Sequence, residues 1–322
     1  MKKVCVIGCG AIGSLYAAHL ARVAEVWAFV RRDDHADALK QHGLRVSGKH
    51  NFSVSLKATT RAAELPGDLD LGIVATKATQ VEEAMTQVGK HFGRGAIISA
   101  QNGLGSEEII AGHTRGLVIR GTTFMSGTRH GDTHVQYELD TATWLGPFEP
   151  RQTPSAVVRE AAELIVAGGL KAEALQDARP AQWSKLIFNA SVNGVSALTG
   201  LPHSPHFAAE EKLDDLGHLL HELIEEGKRV AAAVGVKLHE DPWAMNKIGA
   251  MTNHPTSMLY DVRHQLPTEV DFLSGAIARE AQRVGVAAPL HTAVYRLVKG
   301  KEASWTFQEE NRPVAVQRKA GH

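Results

Sequence analysis

The sequence predicts an α/β fold in which an N-terminal doubly wound sheet is followed by an all-helical C-terminal domain. In the first half, short β-branched apolar runs alternate with amphipathic stretches, as in parallel βαβ units. From about Pro180 onwards, apolar residues recur at helical spacing instead. The 322 residues are enough for two domains. We therefore expect one domain over residues 1–179, a second over 180–312 and a polar tail over 313–322.

The first domain is predicted to alternate strands with helices. The β-branched apolar runs predict core strands at residues 4–7, 25–30, 69–75, 96–100 and 117–121. The amphipathic stretches between them predict helices at residues 14–21, 34–42, 81–89 and 106–110. A strand pair at 134–140 and 141–144 is expected to finish the sheet with an antiparallel edge.

The second domain is predicted to contain only helices. Helical periodicity places them at residues 182–199, 213–234, 242–251, 257–264 and 269–284. Gly285-Val286 followed by Pro289 predicts the end of the last long helix.

A glycine turn follows the first predicted strand directly. It reads Gly8-Cys9-Gly10-Ala11-Ile12-Gly13. The first glycine permits a tight turn, the second lets the backbone approach a phosphate, and the third lets the helix pack close to the strand. Phosphates then lie against free N–H groups at a helix N-terminus. This order predicts a Rossmann-type sheet that binds a dinucleotide through these six residues; a plain glycine-rich turn is the alternative.

The end of the second predicted strand bears on the choice between the two nicotinamide cofactors. An acid there binds the ribose 2′-hydroxyl of NAD, whereas an arginine accommodates the 2′-phosphate of NADP. Arg31-Arg32 comes first after the strand, and Asp33-Asp34 is expected at the start of the next helix, where carboxylates suit the dipole. Arg31 therefore favours NADP, and a solvated charge cluster on a turn is the alternative.

Two further polar residues follow the third and fourth predicted strands. Lys77 and Asn102 come at carboxyl ends of strands, which line the ligand crevice of an open α/β sheet. A lysine there suits a phosphate or a substrate anion, and an asparagine holds an amide or ribose group through its donor and acceptor. A solvated helix-start lysine and an Asn-Gly turn explain the same residues equally well.

The first helix of the second domain carries one polar face. Lys185, Asn189 and Asn193 recur at i, i+4 and i+8 within an otherwise apolar segment. One cation and two amides suit recognition of a carboxylate or hydroxyl, and a hydrogen-bond seam between domains is the alternative. Ser257 and Glu269 stand near two predicted helix starts, where each is most simply a cap residue.

Composition excludes several classes of function. Lys+Arg and Asp+Glu are equal at 35 each, which provides no electrostatic footprint for nucleic acid or anionic membranes. No apolar stretch approaches the ~20 residues of a membrane span, and glycines interrupt the first apolar run, so a cytoplasmic protein is expected.

Cys5 and Cys9 are interpreted as small core or turn residues, with a reactive Cys9 thiol as the alternative. His218, His221, Glu222 and Glu225 share a helix, but no second cluster with metal spacing accompanies them, and no metal is expected.

Together these residues resemble the ketopantoate reductase (2-dehydropantoate 2-reductase) family over nearly all of the chain. The resemblance is carried by the glycine turn, Thr76-Lys77-Ala78, Gln101-Asn102-Gly103-Leu104-Gly105, Trp183-Ser184-Lys185-Leu186 with Asn189 and Asn193, Ser257-Met258-Leu259-Tyr260-Asp261 and Thr268-Glu269-Val270-Asp271. The ordered set is far more specific than any single motif. Before Thr268-Glu269 this chain has Gln265-Leu266-Pro267, where many relatives have an arginine or a glycine-rich segment. This difference bears on the identity of the substrate.

The resemblance implies NADPH-dependent reduction of 2-dehydropantoate to pantoate for pantothenate and coenzyme A synthesis. It implies that Lys185 acts on the ketone and that Glu269 supports the site. It also implies that the substrate is bound by Asn189, Asn193 and Ser257. Lys77 and Asn102 would serve cofactor and substrate, and Arg31 matches the arginine for the 2′-phosphate. A homodimer is also plausible on this basis. A relative that reduces another 2-oxo acid and a non-catalytic NADPH-binding sensor are the alternatives.

Overall fold

The computed structural model describes residues 1–149, 152–208 and 215–310, the last four of these through their backbone alone. The chain divides into two compact units. The first comprises Met1–Leu186 with Gly235–Asp241, and the second comprises Ile187–Val234 with Pro242–His322. The predicted tail at 313–322 lies outside the described residues.

The first unit is built on parallel strands with helices between them. Its strands are β1 Lys3–Ile7, β2 Glu25–Phe29, β3 Leu44–Gly48, β4 Phe52–Val54, β5 Lys57–Thr59, β6 Leu71–Val74, β7 Ala96–Ser99, β8 Leu117–Thr123, β9 Ser126–Arg129, β10 His134–Leu139, β11 Thr143–Pro147 and β12 Ala172–Ala174. Its helices are α1 Ala11–Leu20, α2 Asp33–His42, α3 Val81–Val88, α4 Ser106–His113 and α5 Ser155–Ala167. All five predicted core strands and all four predicted helices of this half are present, and α5 was not predicted.

Eight of these strands form one sheet in the order β12-β11-β8-β7-β6-β1-β2-β5. Alternate residues of β1 are buried on opposite faces: Val4 and Val6 join the apolar cluster that contains α1, and Cys5 and Ile7 join the cluster that contains α3. A strand that is buried on both faces is typical of a doubly wound sheet. The predicted fold class is therefore confirmed.

The predicted strand pair after residue 134 is only partly correct. β11 does run antiparallel to β8, but it has β12 on its other side and is not the edge. β10 belongs to a second sheet, of order β4-β3-β10-β9, where it pairs with β3 and β9. Alternating apolar residues predict that a strand exists, but they do not specify which sheet it joins.

In the described residues the second unit is helical apart from one isolated bridge. One helix begins in the first unit and continues into the second, α6 Arg179–Thr199; the others are α7 Asp215–Ala233, α8 Pro242–Ala250, α9 Ser257–Arg263, α10 Ser274–Val284 and α11 Pro289–Glu310. Residues 213 and 214 of the helix predicted at 213–234 lie outside the described residues.

One prediction about the last helices is wrong, and a second is only partly correct. α10 begins at Ser274 rather than at Glu269, because the intervening residues form a turn in which the N–H groups of Phe272 and Leu273 donate to the Glu269 carbonyl. The predicted helix end is confirmed, because Gly285 is the left-handed C-cap of α10, but α10 is not the last long helix, since Pro289 starts α11. Proline is favoured in the first turn of a helix, where its missing N–H costs no hydrogen bond.

Buried Glu226 on α7 supplies the N-terminal partner of α11. Its two carboxylate oxygens accept from the N–H groups of Leu290 at 3.1 Å and His291 at 2.8 Å. A carboxylate at this position satisfies free backbone donors and complements the helix dipole.

Every helix among the described residues is too short or too polar to cross a bilayer.

Candidate cofactor and active site

The glycine turn has the geometry that its sequence predicts. Gly8 has φ +89° and donates its N–H to the Phe29 carbonyl at 2.9 Å, which fixes the turn to the end of β2. A Cβ built on Gly13 would lie 1.9 Å from the Gly8 carbonyl oxygen, so only glycine lets α1 pack this close. Ala11, Ile12 and Gly13 form the first turn of α1.

Gly10 precedes α1 and leaves open space in front of the helix N-terminus. It is the N-cap residue. In the part of the chain that the structure describes, no side chain caps the helix, and a Cβ built on Gly10 would meet no atom within 4 Å. Gly10 also lines a cavity of about 460 Å³, together with Gly8 and Cys9. Free N–H groups and an open approach are what the phosphates of a dinucleotide need, so these residues fit such a ligand.

Positive charge dominates the wall of this cavity. Among the described residues that line it are four cations, Arg31, Arg32, Lys77 and Arg129, and one carboxylate, Glu83. This charge balance suits an anionic ligand.

The two arginines after β2 differ in their partners. Arg32 pairs with Asp132 at 2.6 Å and with Asp34 at 3.4 Å. Arg31 is exposed, lines the cavity and makes no ion pair with another described residue. Asp33 and Asp34 begin α2 as predicted and do not line the cavity. The basic side chain nearest the strand end is therefore available to a bound anion.

Arg129 was not identified by the sequence analysis. It lies at the end of β9 in the second sheet, and its guanidinium donates to the Cys9 carbonyl at 3.4 Å and to Asp132 at 2.6 Å. The contact joins residues 120 positions apart in the sequence. No local motif indicates such a residue, because its position depends on how the β9–β10 hairpin docks.

The Cys9 side chain is buried beneath the turn. Burial raises the pKa of its thiol to about 12, although the nearby Arg129 acts in the opposite direction. The thiol is thus protonated near neutral pH, which disfavours the reactive alternative.

Lys77 and Asn102 lie where the strand pattern places them, beyond the ends of β6 and β7. Lys77 lines the cavity, whereas half-buried Asn102 is not among its lining residues. The neighbouring Gln101 ties the two strand ends together, since its amide donates to the carbonyls of Val74 at 2.8 Å and Thr76 at 3.3 Å. The loops that carry Lys77 and Asn102 are therefore fixed to each other.

Lys185 lies on α6 within the first unit. Its ammonium donates to the Thr123 carbonyl at the end of β8 and lies 5.4 Å from the centre of the Phe124 ring. The side chain is half-buried, as is Asn189 one turn later. Two of the three predicted polar residues of this face are therefore only partly accessible to solvent.

The third, Asn193, binds the start of α9 within the second unit. Its side-chain oxygen accepts from the Ser257 hydroxyl and the Met258 N–H, both at 3.3 Å. The interpretation of Ser257 as a cap is wrong, because Thr256 is the N-cap and accepts from the Leu259 N–H at 3.2 Å. Ser257 thus faces a predicted substrate-binding residue.

Glu269 lies in the turn before α10 and is mostly buried. The residue before it, Thr268, donates through its N–H and hydroxyl to Glu302 on α11, at 2.8 and 2.7 Å. Asp271, two residues after it, accepts from Tyr295 at 2.9 Å and Lys299 at 3.1 Å. α11 therefore holds the segment that carries Glu269 on both sides.

Two of the four α7 residues that suggest a metal site have other partners. The His221 ring contacts Trp243 edge-on at 5.0 Å, and Glu225 pairs with Lys228 at 2.8 Å. Within the described ranges no three His, Cys, Asp or Glu side chains group as metal ligands.

Comparisons with known proteins cover both units. Residues 4–150 match the family described as ketopantoate reductase PanE/ApbA, and residues 177–302 match its C-terminal family. A 2-dehydropantoate 2-reductase from Archaeoglobus fulgidus is 29% identical over 94% of this chain and 99% of its own length.

Solved structures with similar folds include several reductases. A PanE/ApbA family ketopantoate reductase from Ralstonia eutropha JMP134 has a TM-score of 0.83 at 25% identity, over 94% of this chain and 99% of its own. D-mandelate dehydrogenase with NADH and anilino(oxo)acetate has a TM-score of 0.84 at 22% identity, with the same coverage. A dimeric ketopantoate reductase from Staphylococcus aureus has a TM-score of 0.74 at 21% identity, over 94% of this chain and 99% of its own. The last two show the likeness of fold alone.

Proposed function

This chain belongs to the ketopantoate reductase PanE/ApbA family of oxidoreductases, and we propose that it reduces 2-dehydropantoate to pantoate with NADPH. The observation that carries the proposal is the cavity in front of α1, whose wall combines the glycine turn with Arg31 and Lys77. Pantothenate and coenzyme A synthesis is the metabolic role that this reaction serves.

The cofactor half of the proposal depends on charge. Gly8, Cys9, Gly10, Ala11, Ile12 and Gly13 would hold the pyrophosphate, and Arg31 would bind the 2′-phosphate. The acids that would bind the 2′-hydroxyl of NAD do not line the cavity, which favours NADP. When bound, the reduced nicotinamide supplies a hydride.

Lys185 is proposed to act on the ketone. Hydride transfer to the 2-oxo carbon places negative charge on the carbonyl oxygen, so a cation that stabilises this charge and donates a proton accelerates the reaction. The hydrogen bond to the Thr123 carbonyl restricts where the ammonium points. Fixing the ammonium before the reaction reduces the entropy that the transition state must lose.

The remaining residues are proposed to orient the substrate. Asn102, Asn189, Asn193 and Ser257 offer amide and hydroxyl groups that suit a carboxylate and a hydroxyl. Asn193 and Ser257 already contact each other, so one ligand group can bind both. Glu269 takes the supporting role that the family resemblance implies.

We also propose that this chain forms a homodimer. One relative of the same fold is described as dimeric. Sedimentation equilibrium tests this point independently of activity, and a single species of about 35 kDa would contradict it.

The reaction is tested by the loss of NADPH absorbance with 2-dehydropantoate, beside NADH and a panel of other 2-oxo acids. Rapid oxidation of NADPH with 2-dehydropantoate alone is the expected result. Turnover with a different 2-oxo acid would support the proposed type of reaction but contradict 2-dehydropantoate as the substrate. Tight NADPH binding without turnover on any acid would overturn the enzymatic proposal in favour of a sensor.

A further inference from the structure

Two side chains of α6, one turn apart, bind two positions of β8 with the same spacing. Lys185 donates to the Thr123 carbonyl, and Gln182 accepts from the Arg120 guanidinium. Residues three apart lie on the same side of a helix, so both contacts hold the same face of α6 against β8. Arg120–Gln182 is thus the neighbouring contact to the one that orients Lys185.

Gln182 also joins a buried network with Glu107 on α4. Its amide donates to the Glu107 carboxylate at 2.7 Å, and the Arg120 guanidinium lies 3.5 Å from the same oxygen. Arg120, Glu107 and Gln182 are only 8%, 2% and 4% exposed. All three belong to the first unit, and none was singled out by the sequence analysis.

The same network reaches the loop of Asn102. The Gln182 amide donates at 3.1 Å to the carbonyl of Gly103, the residue after Asn102. One side chain therefore connects the helix that carries Lys185 with the loop that carries Asn102. Both of these residues have roles in the proposed reaction.

Energetics argue against stability as the main role of the network. Burying an ion pair costs desolvation that the mutual attraction often fails to repay. Burial raises the pKa of Glu107 despite the neighbouring Arg120, and the buried Arg120 Nε has no hydrogen-bond partner among the described residues. Replacing a buried ion pair by well-packed apolar side chains is often neutral or stabilising.

We propose that Arg120, Gln182 and Glu107 are positioning residues that set the place of Lys185 and Asn102 relative to each other. The inference rests on the proposed catalytic role of Lys185. It assigns to the network a geometric task, since Gln182 touches α4, β8 and the Asn102 loop at once.

The first test is Gln182→Met, which keeps the length of the side chain and removes its donor and acceptor. We expect kcat with the active 2-oxo acid to fall about tenfold or more, while the Kd for NADPH changes less than twofold. The matched control is Thr153→Val, which removes a buried hydrogen bond of 3.1 Å to the Val118 carbonyl on the same strand. An equal loss of kcat in both variants, or an unchanged kcat in Gln182→Met, would overturn the proposal.

An exchange variant separates the Arg120 contact of Gln182 from its contact with the Gly103 carbonyl. In Glu107→Gln combined with Gln182→Glu, the new carboxylate still accepts from Arg120 but has no proton to donate to Gly103. We expect kcat to be at least threefold higher than in Gln182→Met, because α6 is again fixed. KM for the 2-oxo acid should be higher than in the wild type, because the Asn102 loop is not. A kcat no better than that of Gln182→Met would contradict the proposal.

Hydrogen exchange supplies a readout that does not need a substrate. In Gln182→Met, backbone amides of residues 183–189 should exchange about tenfold faster than in the wild type, with no such change in Thr153→Val. If the wild type turns over no 2-oxo acid, the proposed function fails, and this measurement still decides whether the network fixes α6. Unchanged exchange at 183–189 would overturn the positioning role on its own.

Discussion

The two units of the molecule place their proposed functional residues in different ways. In the first unit, Gly8, Arg31 and Lys77 each follow a strand and line one cavity. In the second, Glu269 depends on contacts from α11, with Thr268 bound to Glu302 34 residues away. Parallel strands bring their carboxyl ends to one edge automatically, whereas a helical segment is placed only by the helices that dock on it. Substitutions around the cavity in front of α1 should therefore affect cofactor binding, and substitutions in the second unit should affect the substrate.

The largest effect is expected from Lys185→Ala. Loss of the cation that stabilises and protonates the developing oxyanion should reduce kcat about 10³-fold. The Kd for NADPH, measured by fluorescence titration, should change less than threefold, because Lys185 does not line the cavity in front of α1. Lys40→Ala removes an exposed lysine paired with Asp37 at 2.7 Å and serves as the control. Equal losses of turnover and NADPH affinity would argue against a catalytic role.

Acid should destabilise the second unit through His291. This side chain is fully buried, and burial lowers its pKa to about 4. The folded state therefore favours the neutral ring, and the resulting stability is present above the unfolded pKa of about 6.5 and lost as pH falls from there to about 4. The shift corresponds to about 3 kcal/mol in the free energy of unfolding.

His291→Gln tests this contribution. The amide can still donate to the Leu223 carbonyl, which His291 Nε2 contacts at 3.0 Å, but it does not titrate. Chemical denaturation at several pH values should show a fall between pH 6.5 and 4 that is smaller by about 3 kcal/mol than in the wild type. His19 in the first unit, also buried with a pKa lowered to about 4, remains in the variant and still titrates. Parallel pH curves for both proteins would refute the assignment to His291.

Arg31→Gln should weaken NADPH binding specifically. Removing a charge-assisted contact to the 2′-phosphate should raise the Kd for NADPH about 10- to 100-fold and leave the Kd for NADH within twofold. Isothermal titration with both cofactors makes the comparison within one protein. An equal loss of affinity for both cofactors would indicate that Arg31 contacts the pyrophosphate or stabilises the fold instead.

Local signals explain what the sequence predicted. The glycine turn, its flanking strand and helix, and the acids at the start of α2 all involve residues close together in the chain. The polar face of α6 was likewise visible from helical spacing alone. Candidate site residues of this kind are accessible to sequence analysis because one backbone element places them.

Long-range contacts explain what the sequence did not predict. Pro289 resembles a helix stop, but Glu226, more than 60 residues earlier, caps the helix that it starts. Arg129 reaches Cys9 only because β10 joins a second sheet. Gln182 carries no motif, and its role follows from three elements that meet around it. Such positions require the folded chain.

The smallest effect is expected from Glu302→Gln, which tests whether α11 places Glu269. One carboxylate oxygen of Glu302 accepts both hydrogen bonds from Thr268, and the other pairs with Lys299 at 2.9 Å. The amide keeps the size but turns one acceptor into a donor and removes the charge, so the segment before Glu269 is held less firmly. We expect KM for the 2-oxo acid to rise about threefold while the Kd for NADPH stays constant. Glu280→Gln, which breaks an exposed pair with Arg283 at 2.6 Å, is the matched control and should change neither constant. A raised Kd for NADPH in Glu302→Gln would contradict this prediction, because it would show that the contacts of α11 also affect the cofactor cavity.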